Sequence, residues 1–132
     1  MNISQREVEG IVVIELSGRL VAGEDSTLLR DAVDANADAG RVQIVLNLQN
    51  LDFIDSTGLG TLVICYTRLQ QKGGALKLSH LSKRHIQLLV LTKLATIFEV
   101  FDTEQAAVNS FFPNREVKKF DILEFVKSQT EP

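Results

Sequence analysis

The segment Phe53-Ile54-Asp55-Ser56-Thr57-Gly58-Leu59-Gly60 places a hydroxyl, a carboxylate and two glycines just ahead of an apolar helical pattern. A serine at the mouth of a helix is ordinarily an N-cap, whose oxygen accepts a backbone N–H bond worth about 1 kcal/mol. Gly58 and Gly60 argue for more, because each costs up to ~1 kcal/mol relative to alanine inside a helix and some benefit must offset that. Glycines there leave backbone N–H groups uncovered and let another protein approach the hydroxyl, at the helix end that best tolerates an added anion. Ser56 is therefore read as an acceptor for phosphate. Asp52 and Asp55 already supply negative charge nearby, and a phosphoryl group adds roughly −1.5 to −2 more. Its expected effect is lost affinity at the surface around Ser56, with the fold intact.

Other reactive side chains are read as structural. Ser56 with His80 or His85 and an aspartate can be drawn as a nucleophile, base and orienter, but no pattern in the chain supplies an oxyanion loop. His80 is expected in a loop and His85 on a helix surface. Two histidines and one cysteine make no metal-ligand spacing, and Cys65 sits inside an apolar helix as a packing residue. Gly73-Gly74 reads as a helix stop and turn rather than a phosphate loop, since no Gly-x-x-x-x-Gly-Lys-Ser/Thr string exists. Asp31, Asp34 and Asp38 read as a solvated acidic face. No catalytic residue, cofactor or metal is assigned.

The elements that must position Ser56 belong to one ordinary domain. The chain has 132 residues, 45% hydrophobic and 23% charged, a composition of packed proteins rather than disordered ones. A single cysteine and an N-terminal stretch without the apolar core of a secretory signal predict a reducing, cytoplasmic setting. No apolar run approaches the roughly 20 residues needed to cross a bilayer. The net charge of −3, with basic residues scattered, excludes a track for nucleic acid.

Along the chain, Asn2 to Arg6 and Ile11 to Leu16 read as a hairpin, and a helix from Asp25 or Ser26 carries Leu28, Leu29, Ala32, Val33 and Ala35. Val42 to Leu48 is too apolar for a half-exposed strand and belongs in the middle of a sheet covered on both faces. After a loop from Gln49 to Asp55, Leu59, Leu62, Val63, Tyr66 and Leu69 mark a second helix. Ala75 to Leu78 forms a strand, Ser82 caps a helix through Leu91, and Ile97 to Val100 forms another strand. Asp102 with Gln105 makes a capping box for a helix from Thr103 to Phe112. The alternation predicts an α/β fold, with a mixed, mostly parallel sheet of four to five strands and about four helices. Residues 1–112 form the domain and 113–132 a partly helical C-terminal extension, with Val117, Phe120, Leu123 and Val126 at helix-like spacing and Asp121 and Glu124 as a second capping box. The plainer reading is that this extension packs back on the domain; the sharper one is an arm that grips a second subunit, in a homodimer, or another partner.

This order of elements resembles STAS domains, and specifically the bacterial anti-sigma factor antagonists, over about residues 1 to 112. The strongest local match is Asp55-Ser56-Thr57-Gly58-Leu59-Gly60 after its strand. Softer matches are Gly18-Arg19-Leu20, Gly73-Gly74-Ala75-Leu76-Lys77-Leu78, Phe98-Glu99-Val100 and Glu104-Gln105-Ala106-Ala107. The resemblance implies a non-enzymatic partner switch, in which the unphosphorylated antagonist binds an anti-sigma factor serine kinase of the histidine-kinase-like ATPase fold and frees a sigma factor. The kinase phosphorylates Ser56 and breaks the complex, and a metal-dependent phosphatase restores it. ATP and magnesium belong to the partner, and Asp55, Ser56, Thr57, Gly58, Leu59 and Gly60 form the contact segment. One departure is Val21, where many members carry an acid; Glu24 or Asp25 could supply it from a shifted position. The alternatives are an unphosphorylated structural STAS subunit of a signalling or lipid-transport complex and a small serine hydrolase.

Overall fold

Runs rich in β-branched residues fold the N-terminal part into an antiparallel hairpin, β1 (Asn2–Val8) and β2 (Ile11–Leu20), joined at Glu9-Gly10. In the computed structural model, which describes residues 1–130, there follow α1 (Glu24–Asp38), β3 (Gln43–Ile54), α2 (Ser56–Gln71), β4 (Ala75–Ser79) and α3 (Lys83–Leu91). A 3-10 turn (Leu94–Thr96), β5 (Glu99–Phe101), α4 (Glu104–Asn109) and α5 (Ile122–Thr130) complete the described chain. The strands lie in the order β1-β2-β3-β4-β5, antiparallel at β1/β2 and parallel elsewhere. The α/β class and the mixed, mostly parallel sheet are as expected, and α5 lies in the C-terminal extension, of which residues 131 and 132 fall outside the described part.

The strand period of two divides the apolar residues between two faces. Val12, Ile14 and Leu16, Ile44, Leu46 and Leu48, and Leu76 and Leu78 point to one face, where Leu29 and Val33 of α1, Leu62 and Leu69 of α2 and Leu89 of α3 cover them. Ile11, Val13, Val45 and Phe101 point to the other, against Ala107 and Val108 of α4. This two-sided burial is why β3 reads as an unbroken apolar run. Each fully buried leucine or isoleucine contributes about 1.5–3 kcal/mol. That exceeds what a cap supplies, so α1 needs none: it starts at Glu24, after Gly23, with no side-chain cap.

The structure moves several boundaries. Residues 49–54, expected as a loop, continue β3, and β2 runs on to Leu20 beside them. β3 carries one extra residue opposite the step from Glu15 to Ser17 and another opposite Gly18 to Arg19. These bulges scramble the alternation by which a strand is recognised, although Leu51 and Ile54 remain buried. Gly18 supplies the positive φ, +93°, at the second irregularity. β5 begins at Glu99 rather than Ile97, because the Ile97 amide donates to Leu94 O (3.0 Å) and closes the 3-10 turn. α4 is capped by Thr103 and not Asp102: Thr103 Oγ1 accepts from the Ala106 amide at 3.0 Å, while Gln105 bonds Asn109. Asp34 and Asp38 are not simply solvated, since Arg68 of α2 reaches them at 2.9 and 3.4 Å and ties α1 to α2.

Candidate functional site

The site is built where β2 and β3 end together. Leu20 pairs with Ile54, and the next amide, that of Asp55, donates to Leu20 O at 3.2 Å. Asp55 then takes the N-cap position of α2. Its Oδ1 accepts from the Gly58 amide at 2.7 Å and its Oδ2 from the Ala22 amide at 3.0 Å. One carboxylate thus fastens the first turn of α2 to the loop between β2 and α1. Val21 lies in that loop, its carbonyl accepting from Ser26 Oγ at 2.9 Å. Of the acids that follow, Glu24 is exposed and Asp25 pairs with the Met1 amine at 3.2 Å.

The amide bonds, first from Gly58 and then from Ala22, hold the Asp55 carboxyl below the usual carboxylate range; desolvation opposes them, and the Thr57 amide and the Arg19 charge reinforce them. A depressed folded pKa means that the unfolded chain takes up the proton more readily. The contribution of Asp55 is therefore present above the unfolded value, about 3.9, and is lost as pH falls through the lower folded value. Asp55→Ala is expected to lower the melting temperature at neutral pH and to flatten its decline on acidification. Identical acid limbs for the variant and the wild type would show that the cap contributes nothing.

Because Asp55 is the cap, Ser56 is not. Ser56 is the first residue of α2, exposed, and its hydroxyl makes no hydrogen bond within the described residues. The reading of Ser56 as an ordinary capping serine is thereby set aside, and the hydroxyl is free for another protein's chemistry. Thr57 and Gly60 are exposed beside it, and a Cβ added at Gly60 would meet nothing within 4 Å. Gly58 is different. A Cβ there would stand 2.3 Å from Leu20 O and 2.9 Å from Leu20 Cγ, so this glycine faces inward and lets α2 rest on the end of β2. Its amide is also covered, by Asp55. Leu59 is buried in the main core. The six residues thus divide: Ser56, Thr57 and Gly60 form the surface, while Asp55, Gly58 and Leu59 hold it in place.

Three neighbours join this surface that the sequence reading did not single out. Ile64, 52% exposed, continues the Ser56-Gly60 line at the next four-residue step of α2. Phe53 is 39% exposed, with the Arg19 guanidinium 4.9 Å from its ring centroid. The available signal for Ile64 was its spacing from Ser56, at i+8 on one helix face; for Phe53, the bulged strand hid the side to which it points.

Neither histidine serves Ser56. His80 sits in a loop, as expected, with Nε2 accepting the Glu104 amide at 3.1 Å on α4. His85, expected on a helix surface, is instead buried in α3, with both ring nitrogens unpartnered among the described residues. Burial, and secondarily the Arg84 charge, holds its pKa below the usual histidine value against the pull of Asp52, which keeps the packed ring neutral. The Cys65 thiol is pushed up to about 12 by burial and packs as an apolar group. Among the described residues there is no group of three or more His, Cys, Asp or Glu that could hold a metal ion, and no helix long and apolar enough to cross a membrane.

Comparison with known proteins bears on this arrangement. A family model described as STAS domain matches residues 2–107. The chain is 30% identical over 109 residues to the anti-sigma F factor antagonist of Paenibacillus polymyxa, covering 82% of this chain and 92% of that one. It is 27% identical over 108 residues to the anti-sigma-B factor antagonist of Bacillus subtilis (strain 168), covering 82% and 97%. Among solved structures it is similar to that of a Thermotoga maritima protein described as a candidate anti-sigma factor antagonist, with a TM-score of 0.76, 26% identity and coverage of 82% and 92%.

Proposed function

The chain belongs to the STAS domain family, and from that premise we propose that it is an anti-sigma factor antagonist that works as a partner switch controlled by phosphorylation of Ser56. The observation that carries the reading is the exposed, unbonded Ser56 hydroxyl at the start of α2, released from capping by Asp55. The names of its relatives support the same role. In its unphosphorylated form the protein binds an anti-sigma factor kinase through Ser56, Thr57, Gly60 and the neighbouring Phe53 and Ile64. It contributes no catalysis; its serine accepts a group from chemistry on the partner.

In the transfer step, Ser56 Oγ forms a bond to the γ-phosphorus of ATP held by the kinase, and the bond from that phosphorus to the β–γ bridging oxygen breaks. ADP leaves, and the hydroxyl proton passes to a base of the kinase. The phosphate then sits at the positive end of α2, where a helix favours an anion by about 0.3–1 kcal/mol. The fold therefore survives the modification. The contact surface, with Asp55 beside it, gains more negative charge than its partner was shaped to meet. Hydrolysis by a metal-dependent phosphatase restores the binding form.

The test is affinity capture from the source cell with the chain as bait, followed by addition of ATP and intact-mass measurement. An anti-sigma factor kinase should be retained by wild type and by Ser56→Ala. ATP should add a phosphoryl group to wild type alone and release it from the partner. Recovery of the chain in a stable large assembly, with Ser56 unmodified after ATP, would favour a structural STAS subunit instead.

A further inference from the structure

Beyond residue 107, where the family match ends, the chain does something the shared fold does not require. After α4, Phe111 and Phe112 pack under the sheet. The Arg115 guanidinium lies 4.1 Å from the Phe112 ring centroid and donates to both carboxylate oxygens of Glu9, at 2.8 and 3.0 Å. From residue 116 to 121 the chain has no regular structure of its own. It runs along β5, the edge strand on the side of the sheet away from the hairpin.

There the Phe120 amide donates to Val100 O at 2.9 Å, and the Phe120 ring packs against the main core. Lys119 Nζ lies 3.0 Å from Glu99 Oε1, while the other oxygen of Glu99 is held by Lys77, also at 3.0 Å. A cleft of about 540 Å³ adjoins these groups, with Tyr66, Ile97 and Phe98 among its walls. A main-chain bond to an edge carbonyl, an aromatic side chain seated beside the strand and an ion pair for the preceding residue are the elements of peptide recognition by strand addition. An edge strand left bare would expose unpaired backbone groups.

We propose that the β5 edge is a docking site for an extended segment carrying a basic residue followed by an aromatic one, occupied here in cis by Lys119-Phe120, and that its occupant in trans is the same tail segment of a second copy. The chemistry is self-complementary, because every copy carries both the site and the segment. The connection from Pro113 to Lys118 turns at residues 113–114 and is held by Arg115 on Glu9 and by Val117 against the second core cluster; once released, six residues reach up to ~20 Å. Exchange between copies requires only that the tail leave one edge and join another, with each contact reproduced. The tethered segment competes at the high effective concentration of a short linker, so the cis form dominates in dilute protein.

The test uses a fluorescent peptide of residues 113–130 and the full chain. Phe120→Ala, which loosens the cis segment, should bind the peptide saturably, and wild type should bind it at least about tenfold more weakly because its site is filled. A peptide carrying Phe120→Ala should fail, and Glu99→Gln in the Phe120→Ala protein should weaken binding. Should circular dichroism show that full-length Phe120→Ala is unfolded, a chain ending at Phe112 takes its place, since the family match lies wholly within it. A folded protein with its edge released that binds no peptide, or a wild type that binds as well as Phe120→Ala, would overturn the proposal.

Discussion

Gly58→Ala is expected to lower the unfolding free energy by about 1–3 kcal/mol, although alanine is the better helix former. Two effects oppose each other. Helix propensity favours alanine by up to ~1 kcal/mol. Against it, the new methyl would lie 2.3 Å from the Leu20 carbonyl oxygen and 3.0 Å from its carbon. Those are backbone atoms at the end of β2, paired with Ile54, and cannot swing aside as a side chain would. Overpacking of this kind costs typically 1–3 kcal/mol, and moving the turn also strains the Asp55 bonds to Gly58 and Ala22. Gly60→Ala is the internal control. Its methyl meets nothing within 4 Å, so it should raise stability by up to ~1 kcal/mol while crowding the surface beside Ser56. Urea denaturation midpoints moving in opposite directions for the two variants would bear this out. A Gly58→Ala protein as stable as wild type would mean that α2 does not rest on β2 as described.

Ser56→Asp is expected to weaken partner binding by about 1–3 kcal/mol, a factor of about five to over a hundred, with little change in stability. The structure separates the two quantities. Among the described residues the Ser56 hydroxyl bonds nothing, and its side chain is exposed, so no internal contact among them is lost. A negative charge at the first helical position is favoured by the α2 dipole. What changes is the charge presented to the partner beside Asp55. Ser56→Ala should bind as wild type does and resist ATP-driven release. Fluorescence anisotropy with the captured kinase gives both affinities, and equal affinity for Ser56→Asp and wild type would sink the switch.

How far the chain could be read from its residues varied with the kind of signal. Elements with a clean period were legible. The hairpin, the central strand through Leu48 (which begins at Gln43 rather than Val42), the α2 pattern and the Ser82 cap of α3 all stand where spacing put them. Elements whose period is interrupted were not. The second half of β3 passes through two bulges and so loses its alternation, which made Gln49 to Ile54 look like a loop. Caps were ambiguous where two candidates adjoin. Asp102 and Thr103 both suit an N-cap, and only the turn geometry gives the role to Thr103. In the same way Asp55 and Ser56 are adjacent capping types, and their assignment decides whether the serine is structural or available. His85 shows the converse limit. A histidine near the start of a helix suggests a wet face, yet the packing of α3 on the sheet buries it.

The residues by themselves determined the order and kind of elements, the place of Ser56 at the start of a helix and the family resemblance, because those rest on local spacing and on short strings. Tertiary structure decided what each residue of that string does. The parallel pairing that brings Leu20 beside Ile54 turns Gly58 into a contact point and Asp55 into a clamp across two loops. It leaves Ser56 and Gly60 outside and draws Phe53 and Arg19 into the same surface. Those outcomes depend on residues more than 30 positions apart in the chain. No pattern within a single helix or strand encodes such a distance, so only the assembled sheet could show which groups the serine meets and which merely hold it in place.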